Sequence, residues 1–220
     1  RAIYIVNDNE IWTGGVSGGL WVSYNAANSW QQVTSFPNCM VASITRNGNG
    51  RWYVGTGSQF DGGSGSGGSG FRGRGIYTST DGVNWEIIED TDPGLLGGGD
   101  WTAVEALEAD PFNAERIWYA GNAGYGYIDG TQVFEGVASG VNNGNAQDIE
   151  IAADGSYMLL AMDGGRVWRS TDNTYLDFVQ LFAPNDPGYL PESGVGRARV
   201  AIAKDDVNHA YVLYSTGGGF

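Results

Sequence analysis

The sequence predicts an all-β chain assembled from repeated four-stranded antiparallel units, and three observations carry that prediction. Glycine supplies 37 of 220 residues, more than twice its usual share of about 7%, so the chain must turn often and tightly. Charged residues make up only 16%, below the common value of about 25%, which excludes helical bundles and coiled coils. The third observation is a repeat. Five short aromatic or aliphatic runs each close on small residues: Ile11-Trp12-Thr13-Gly14, Trp52-Tyr53-Val54-Gly55, Trp118-Tyr119-Ala120-Gly121, Leu159-Leu160-Ala161 and Tyr211-Val212-Leu213. From Trp12 through Tyr53, Tyr119 and Leu159 to Tyr211 the steps are 41, 66, 40 and 52 residues.

Each run reads as the second strand of a unit, and the units follow in order. The first, about residues 1–40, opens on a strand at residues 2–6 and continues through Gly19-Leu20-Trp21-Val22-Ser23 to Trp30-Gln31-Gln32-Val33. The second, about 41–98, has Val41-Ala42-Ser43-Ile44 before its run, a Gly/Ser insert at 57–75, then Ile76-Tyr77-Thr78-Ser79 and Trp85-Glu86-Ile87-Ile88. The third, about 99–144, keeps a hairpin at 125–134. The fourth, about 145–192, has Ile149-Glu150-Ile151-Ala152, Arg166-Val167-Trp168-Arg169-Ser170 and Phe178-Val179-Gln180-Leu181. The fifth, about 193–220, holds only Val200-Ala201-Ile202-Ala203 and the Tyr211 run. Four strands per unit at a spacing of roughly 40 residues is the blade of a β-propeller. Four complete blades and half of a fifth cannot close a ring. The sequence is therefore expected to be a fragment of a larger ring, its remaining blades supplied by the same protein or by another chain.

Charge narrows the partners. Eleven basic against 25 acidic residues give a net charge of −14, which repels phosphate backbones and anionic membranes, so no nucleic acid is expected. No apolar run reaches the ~20 residues of a membrane span. The chain opens at Arg1 without a signal sequence, as a processed chain or a piece of a longer one would. Cys39 is the single cysteine and His209 the single histidine, so no internal disulfide forms and zinc patterns built from those ligands are excluded. No cofactor or metal is expected. Cys39 beside Met40 and Val41 reads as a small buried hydrophobe, and His209 as an exposed turn residue.

The turn in Ser79-Thr80-Asp81-Gly82-Val83-Asn84-Trp85 resembles the Asp-box, or BNR repeat. Its chemistry is readable directly: Asp81 accepts from the amides of its own turn, Gly82 permits a positive φ, and Trp85 staples the hairpin. Ser23, Asn25 and Trp30 form a degenerate copy, and Ser170, Asp172 and Phe178 a stretched one. Together with residues 70–77 and 190–197, these turns are similar to secreted sortilin-like and BNR-repeat propellers of Bacteroidota surfaces. That resemblance covers almost the whole chain and specifies fold more than function. It implies an extracellular or cell-surface protein, in some relatives a cargo of the type 9 secretion system. The family includes sialidases, xyloglucan hydrolases, sorting receptors and noncatalytic adhesins.

Alternation lets polar residues on innermost strands face a central channel. The candidates are Asp100, Glu105, Asp148, Glu150, Arg197 and Arg199. Paired carboxylates such as Glu105 and Asp148 or Glu150 suit glycoside hydrolysis, while the alternative is that these acids solvate the channel or pair with arginine. Arg197 and Arg199 share one blade and no Arg-Ile-Pro sequence occurs, which disfavours a sialidase. Asp61 in the Gly/Ser insert could serve as a hard oxygen donor in a rim loop, but one carboxylate is far short of a calcium cage. Tyr125, Tyr127, Tyr175 and Tyr189 offer a sugar-stacking platform or, alternatively, wedges between blades. These residues together favour a noncatalytic recognition or adhesion propeller with a protein or polysaccharide ligand. The rival is a glycoside hydrolase whose catalytic residues lie partly outside the chain.

Overall fold

The computed structural model describes residues 2–59, 70–136, 141, 144–182 and 195–216. Among these, the strands form four sheets of four and one of two, each antiparallel and in chain order. Sheet one holds β1 (Ala2–Ile5), β2 (Ile11–Gly15), β3 (Gly19–Ser23) and β4 (Gln31–Gln32). Sheet two holds β5 (Val41–Arg46), β6 (Trp52–Thr56), β7 (Ile76–Ser79) and β8 (Glu86–Ile87). Sheet three holds β9 (Val104–Ala109), β10 (Arg116–Gly121), β11 (Gly124–Asp129) and β12 (Gln132–Glu135). Sheet four holds β13 (Ala146–Ile151), β14 (Met158–Met162), β15 (Arg166–Ser170) and β16 (Val179–Phe182). Sheet five consists of β17 (Val195–Ile202) and β18 (Ala210–Thr216). A single turn of helix, α1 (Pro93–Leu96), follows sheet two, with Asp92 as its N-cap and Gly97 closing it at φ 69°. No helix among the described residues is long and apolar enough to cross a membrane.

The apolar residues bury themselves between sheets. Because strand side chains alternate, each sheet has two apolar faces, one for each neighbour. Trp12, Leu20 and Val22 of sheet one meet Val41, Trp52, Val54 and Tyr77 of sheet two. Tyr53 and Ile76 on the opposite face of sheet two meet Val104, Ile117, Tyr119 and Ile128. Trp118, Ala120 and Tyr125 of sheet three meet Ile149, Leu160 and Trp168. Leu159, Ala161 and Val167 of sheet four meet Ala198, Val200 and Ile202 of sheet five. Four separate cores thus join five sheets, and the first strands β1, β5, β9, β13 and β17 pack side by side along one axis.

Small residues at the ends of the second strands have a packing cause. A Cβ on Gly55 would stand 2.6 Å from Val104 Cγ1, and one on Gly14 would stand 2.2 Å from Val41 Cγ1. Only glycine lets the next inner strand approach this closely.

The Asp81 turn is closed by its own side chains. Val83 and Asn84 amides donate to Asp81 Oδ1 at 2.8 and 2.7 Å, and the Gly82 amide donates to Ser79 Oγ at 2.9 Å. Those amide bonds, Asn84 first, hold the Asp81 carboxyl well below the usual carboxylate range. Asn25 repeats the geometry in sheet one, accepting from Ser29 N at 2.9 Å, and Asp172 repeats it in sheet four, accepting from Thr174 N at 2.8 Å. The aromatic residue after the second-sheet and fourth-sheet turns points back to the preceding sheet. Trp85 meets Trp12 and Phe36 edge-on at 6.4 and 5.2 Å, and Phe178 meets Tyr125 at 5.4 Å. Trp30 has the same place in sheet one and is 38% exposed.

One expectation is corrected by the structure. Cys39 is exposed, because it lies in the connection between sheets one and two and not on a packed strand. Of the two readings of the tyrosines, the burial of Tyr125 and Tyr175 at 4% and 0% exposure fits wedges between blades and not a sugar platform. The Tyr125 hydroxyl donates to Tyr175 O at 3.0 Å, while half-buried Tyr127 stacks on Phe134 at 4.6 Å. Tyr189 lies outside the described residues.

Candidate functional site

The axis between the first strands carries the densest set of ionisable side chains among the described residues. Local geometry aims them there. The cross-strand register skips Glu105 of β9, Gln147 of β13 and Gly196 of β17, and it skips Ala42 of β5 in the same way. Bulges at matching places twist each inner strand and re-aim the side chain at or beside them.

Arg199 is the hub of these axial contacts. Its Nη1 donates to Asp148 Oδ1 at 2.9 Å and to Gln147 O at 2.7 Å, and its Nη2 to Glu105 Oε2 at 3.2 Å. Arg197 stands 3.6 Å from the same Glu105 oxygen. Glu105 also accepts from the Gln59 amide at 2.8 Å. The side chains of sheet four cover the backbone of β17: Asp148 Oδ2 accepts from Val200 N at 2.9 Å and Gln147 Oε1 from Ala198 N at 2.7 Å. Glu105, Asp148, Arg197 and Arg199 therefore form one network at one end of the channel.

Toward the other end the balance turns acidic. A cavity of about 350 Å³ lined by Ser43, Glu105, Glu108, Asp148, Glu150, Arg197 and Arg199 continues into one of about 490 Å³. Tyr4, Thr45, Glu108, Glu150, Ile202 and Lys204 line the second. Burial and then the charges of Glu150 and Asp148 push the Glu108 carboxyl up to about 8, with Lys204 opposing. Burial and then Asp148 push Glu150 up to about 7. Burial also raises Asp148, against the pull of Arg199. At these values Glu108 and Glu150 hold protons near neutral pH, and Lys204 offsets what charge remains on them.

Of the residues singled out from sequence, Glu105, Asp148, Glu150, Arg197 and Arg199 meet on this axis. Asp100 does not: it is exposed in the turn before β9, ahead of the strand that would have carried it inward. Asp61 lies outside the described residues. Exposed His209 pairs with Asp206 at 2.7 Å in a turn away from the axis. Sequence reasoning missed Glu108, Gln147 and Lys204. Glu105 and Glu108 are three apart, so strict alternation puts them on opposite faces, and only the bulge at Glu105 reconciles them. Among the described residues no three His, Cys, Asp or Glu side chains converge as metal ligands.

No protein-family profile matches the chain, and no relative is found among the curated proteins. Solved structures do match. A GH74 xyloglucanase from Xanthomonas campestris gives a TM-score of 0.64 at 15% identity, over 96% of this chain and 34% of that one. The extracellular domain of a protein described as a hybrid two-component system in B. thetaiotaomicron gives 0.67 at 14% identity, over 99% of this chain and 26% of that one. YCF48 from Cyanidioschyzon merolae gives 0.58 at 14% identity, over 98% and 64%. The chain thus spans about a third or less of the first two structures and under two thirds of the third. What these proteins share with it is the fold: an all-β propeller, here an arc of four-stranded sheets with a two-stranded fifth.

Proposed function

We propose that this chain is part of a noncatalytic, extracellular recognition or adhesion propeller of the Asp-box (BNR) type. Its blades are bounded near residues 1–40, 41–98, 99–144, 145–192 and 193–220, and its ligand is a protein or a polysaccharide. The observation that carries this reading is the commitment of the axial charges to one another: Arg197 and Arg199 are both turned onto Glu105, and Asp148 is held by Arg199 and the Val200 amide. A carboxylate so held is a poor nucleophile or base, since reaction would first require the pair to break. The likeness to YCF48, which is also solved with a bound peptide, supports a binding role, and the likeness to the extracellular domain of a two-component system supports an outside location.

A hydrolase is the second reading, and one observation favours it. Glu108 and Glu150 line a common cavity with carboxyls raised into the range of a general acid. The likeness to GH74 enzymes keeps this reading open. The two separate in one experiment, in which the protein is incubated with a panel of β-glucans and xyloglucan oligosaccharides and product is measured alongside binding by calorimetry. The recognition reading expects no product. Turnover that disappears in Glu150→Gln would replace it with the hydrolase.

A further inference from the structure

Sheets one and two are joined from Gln32 to Val41, and sheets two and three by the longer run from Ile87 to Val104. Phe36 seals the first joint against Tyr77 and Trp85 at 5.3 and 5.2 Å, and Trp101 seals the second against Tyr119 at 4.6 Å. The extra length of the second goes into α1, which holds Leu95 and Leu96 in solvent at 66% and 54% exposure. The turn is braced. Arg74 Nε and Nη2 donate to the buried Asp92 carboxylate at 3.0 and 2.8 Å, and the Thr91 hydroxyl accepts from Ile76 N at 2.9 Å. Between α1 and β12 lies a cavity of about 430 Å³. Leu96, Trp101 and Val133 give it apolar walls, and Asp90, Asp100 and Glu135 bring three carboxylates. No described residue lining it is basic, whereas the axial acids have Arg197 and Arg199. Both sheets are complete, and each packs on a further sheet at its other face. The described ends of the Gly/Ser insert, Gln59 and Gly70, sit at Glu105 and Ser58, and Gly136 beyond β12 lines a different cavity with Tyr125 and Met162.

We propose that this groove binds an extended segment of a partner protein in which an arginine or lysine stands beside a large apolar residue. The cation enters among Asp90, Asp100 and Glu135, its methylene stem lies along Leu96 and Val133, and the apolar neighbour covers Leu95. Other ligand classes fit less well. Among the described residues no three acids converge as metal ligands, so the carboxylates are spread for an elongated cation and not for a metal ion. Trp101 is 1% exposed and presents no ring face on which a sugar could stack. A net charge of −14 draws basic partners from a distance, and the exposed leucine pair makes the choice among them. The inference rests on the recognition reading and selects protein from its two ligand classes. It does not involve the axial channel.

The probe is drawn from a library of short random peptides displayed on phage and selected on the immobilised 220-residue chain. Selected peptides should pair Arg or Lys with Leu, Ile or Phe, and a fluorescently labelled one should bind saturably by anisotropy. Leu95→Ser with Leu96→Ser, and separately Asp90→Asn with Asp100→Asn, should each weaken that binding at least about tenfold. These side chains are exposed, so the fold is not at stake. Val83→Ser, at an exposed position on the Asp81 turn, should leave binding unchanged. A scrambled peptide of equal charge should also bind at least about tenfold more weakly. Equal binding by the scrambled peptide would reduce the effect to general attraction by an acidic chain and overturn the proposal. So would selected peptides without basic residues, full binding by either double variant, or no selected peptide at all. Failure here, together with glycan binding and no product, would leave the recognition reading standing with a polysaccharide as its ligand.

Discussion

Glu108 and Glu150 make stability depend on pH in the direction opposite to an ordinary ion-paired acid. Unfolded glutamate titrates near ~4.3, while in the fold these two are raised to about 8 and about 7. Between those limits the native state binds more protons than the unfolded chain. Stability therefore falls as pH rises through that window and levels off above it. Thermal melts should show the midpoint decreasing from pH 5 to pH 8.5, and Glu108→Gln should flatten the decline. A variant that keeps the full slope would show that Glu108 is not its source. The alternation of residues makes Glu105, Asp148, Glu150, Arg197 and Arg199 legible as axial from sequence. Glu108 is not legible, because its position depends on a bulge that no residue of β9 announces.

Strands and turns are more readable than side-chain pairs, since glycine spacing and aromatic runs are local signals. Less readable is what the box aromatics touch. Sequence assigns Trp85 to its own hairpin, yet it inserts between Trp12 of the preceding sheet and Phe36 of the connection after that sheet. The α1 turn lies outside the repeat pattern, although Asp92, Pro93 and Gly97 supply an N-cap, a first-turn proline and a left-handed stop. The inter-sheet placement separates two tryptophans that look alike in sequence. Trp85→Ala should destabilise the fold by about 3 kcal/mol through the lost ring and the gap it leaves. Trp30→Ala, at an exposed ring, should change stability by less than about 0.5 kcal/mol. Urea titrations of both variants measure the difference, and equal effects would refute the inter-sheet role of the box aromatic.

At the scale of the whole molecule, neighbouring sheets are joined by separate apolar cores, while Arg199 reaches from sheet five past sheet four to Glu105 of sheet three. Glu105 is fully buried and Asp148 partly so, and removing their shared guanidinium leaves two carboxylates short of a partner. Arg199→Met should therefore lower stability by about 3 kcal/mol at neutral pH, measured by denaturant unfolding. An effect below about 0.5 kcal/mol would mean that water replaces the guanidinium without penalty. The number of sheets and their order can be counted from repeats, but a contact between residues 94 apart has no local signature.

That same guanidinium has a mechanical meaning. Apolar faces slide over one another with little directional preference, so four cores alone would tolerate a range of angles between successive sheets. A clamp spanning three inner strands fixes the chord between the first and the third of them, and with it the curvature of the arc. Without it the arc is free to relax toward a wider radius. Small-angle scattering of Arg199→Met would then show an increased radius of gyration while circular dichroism stays unchanged.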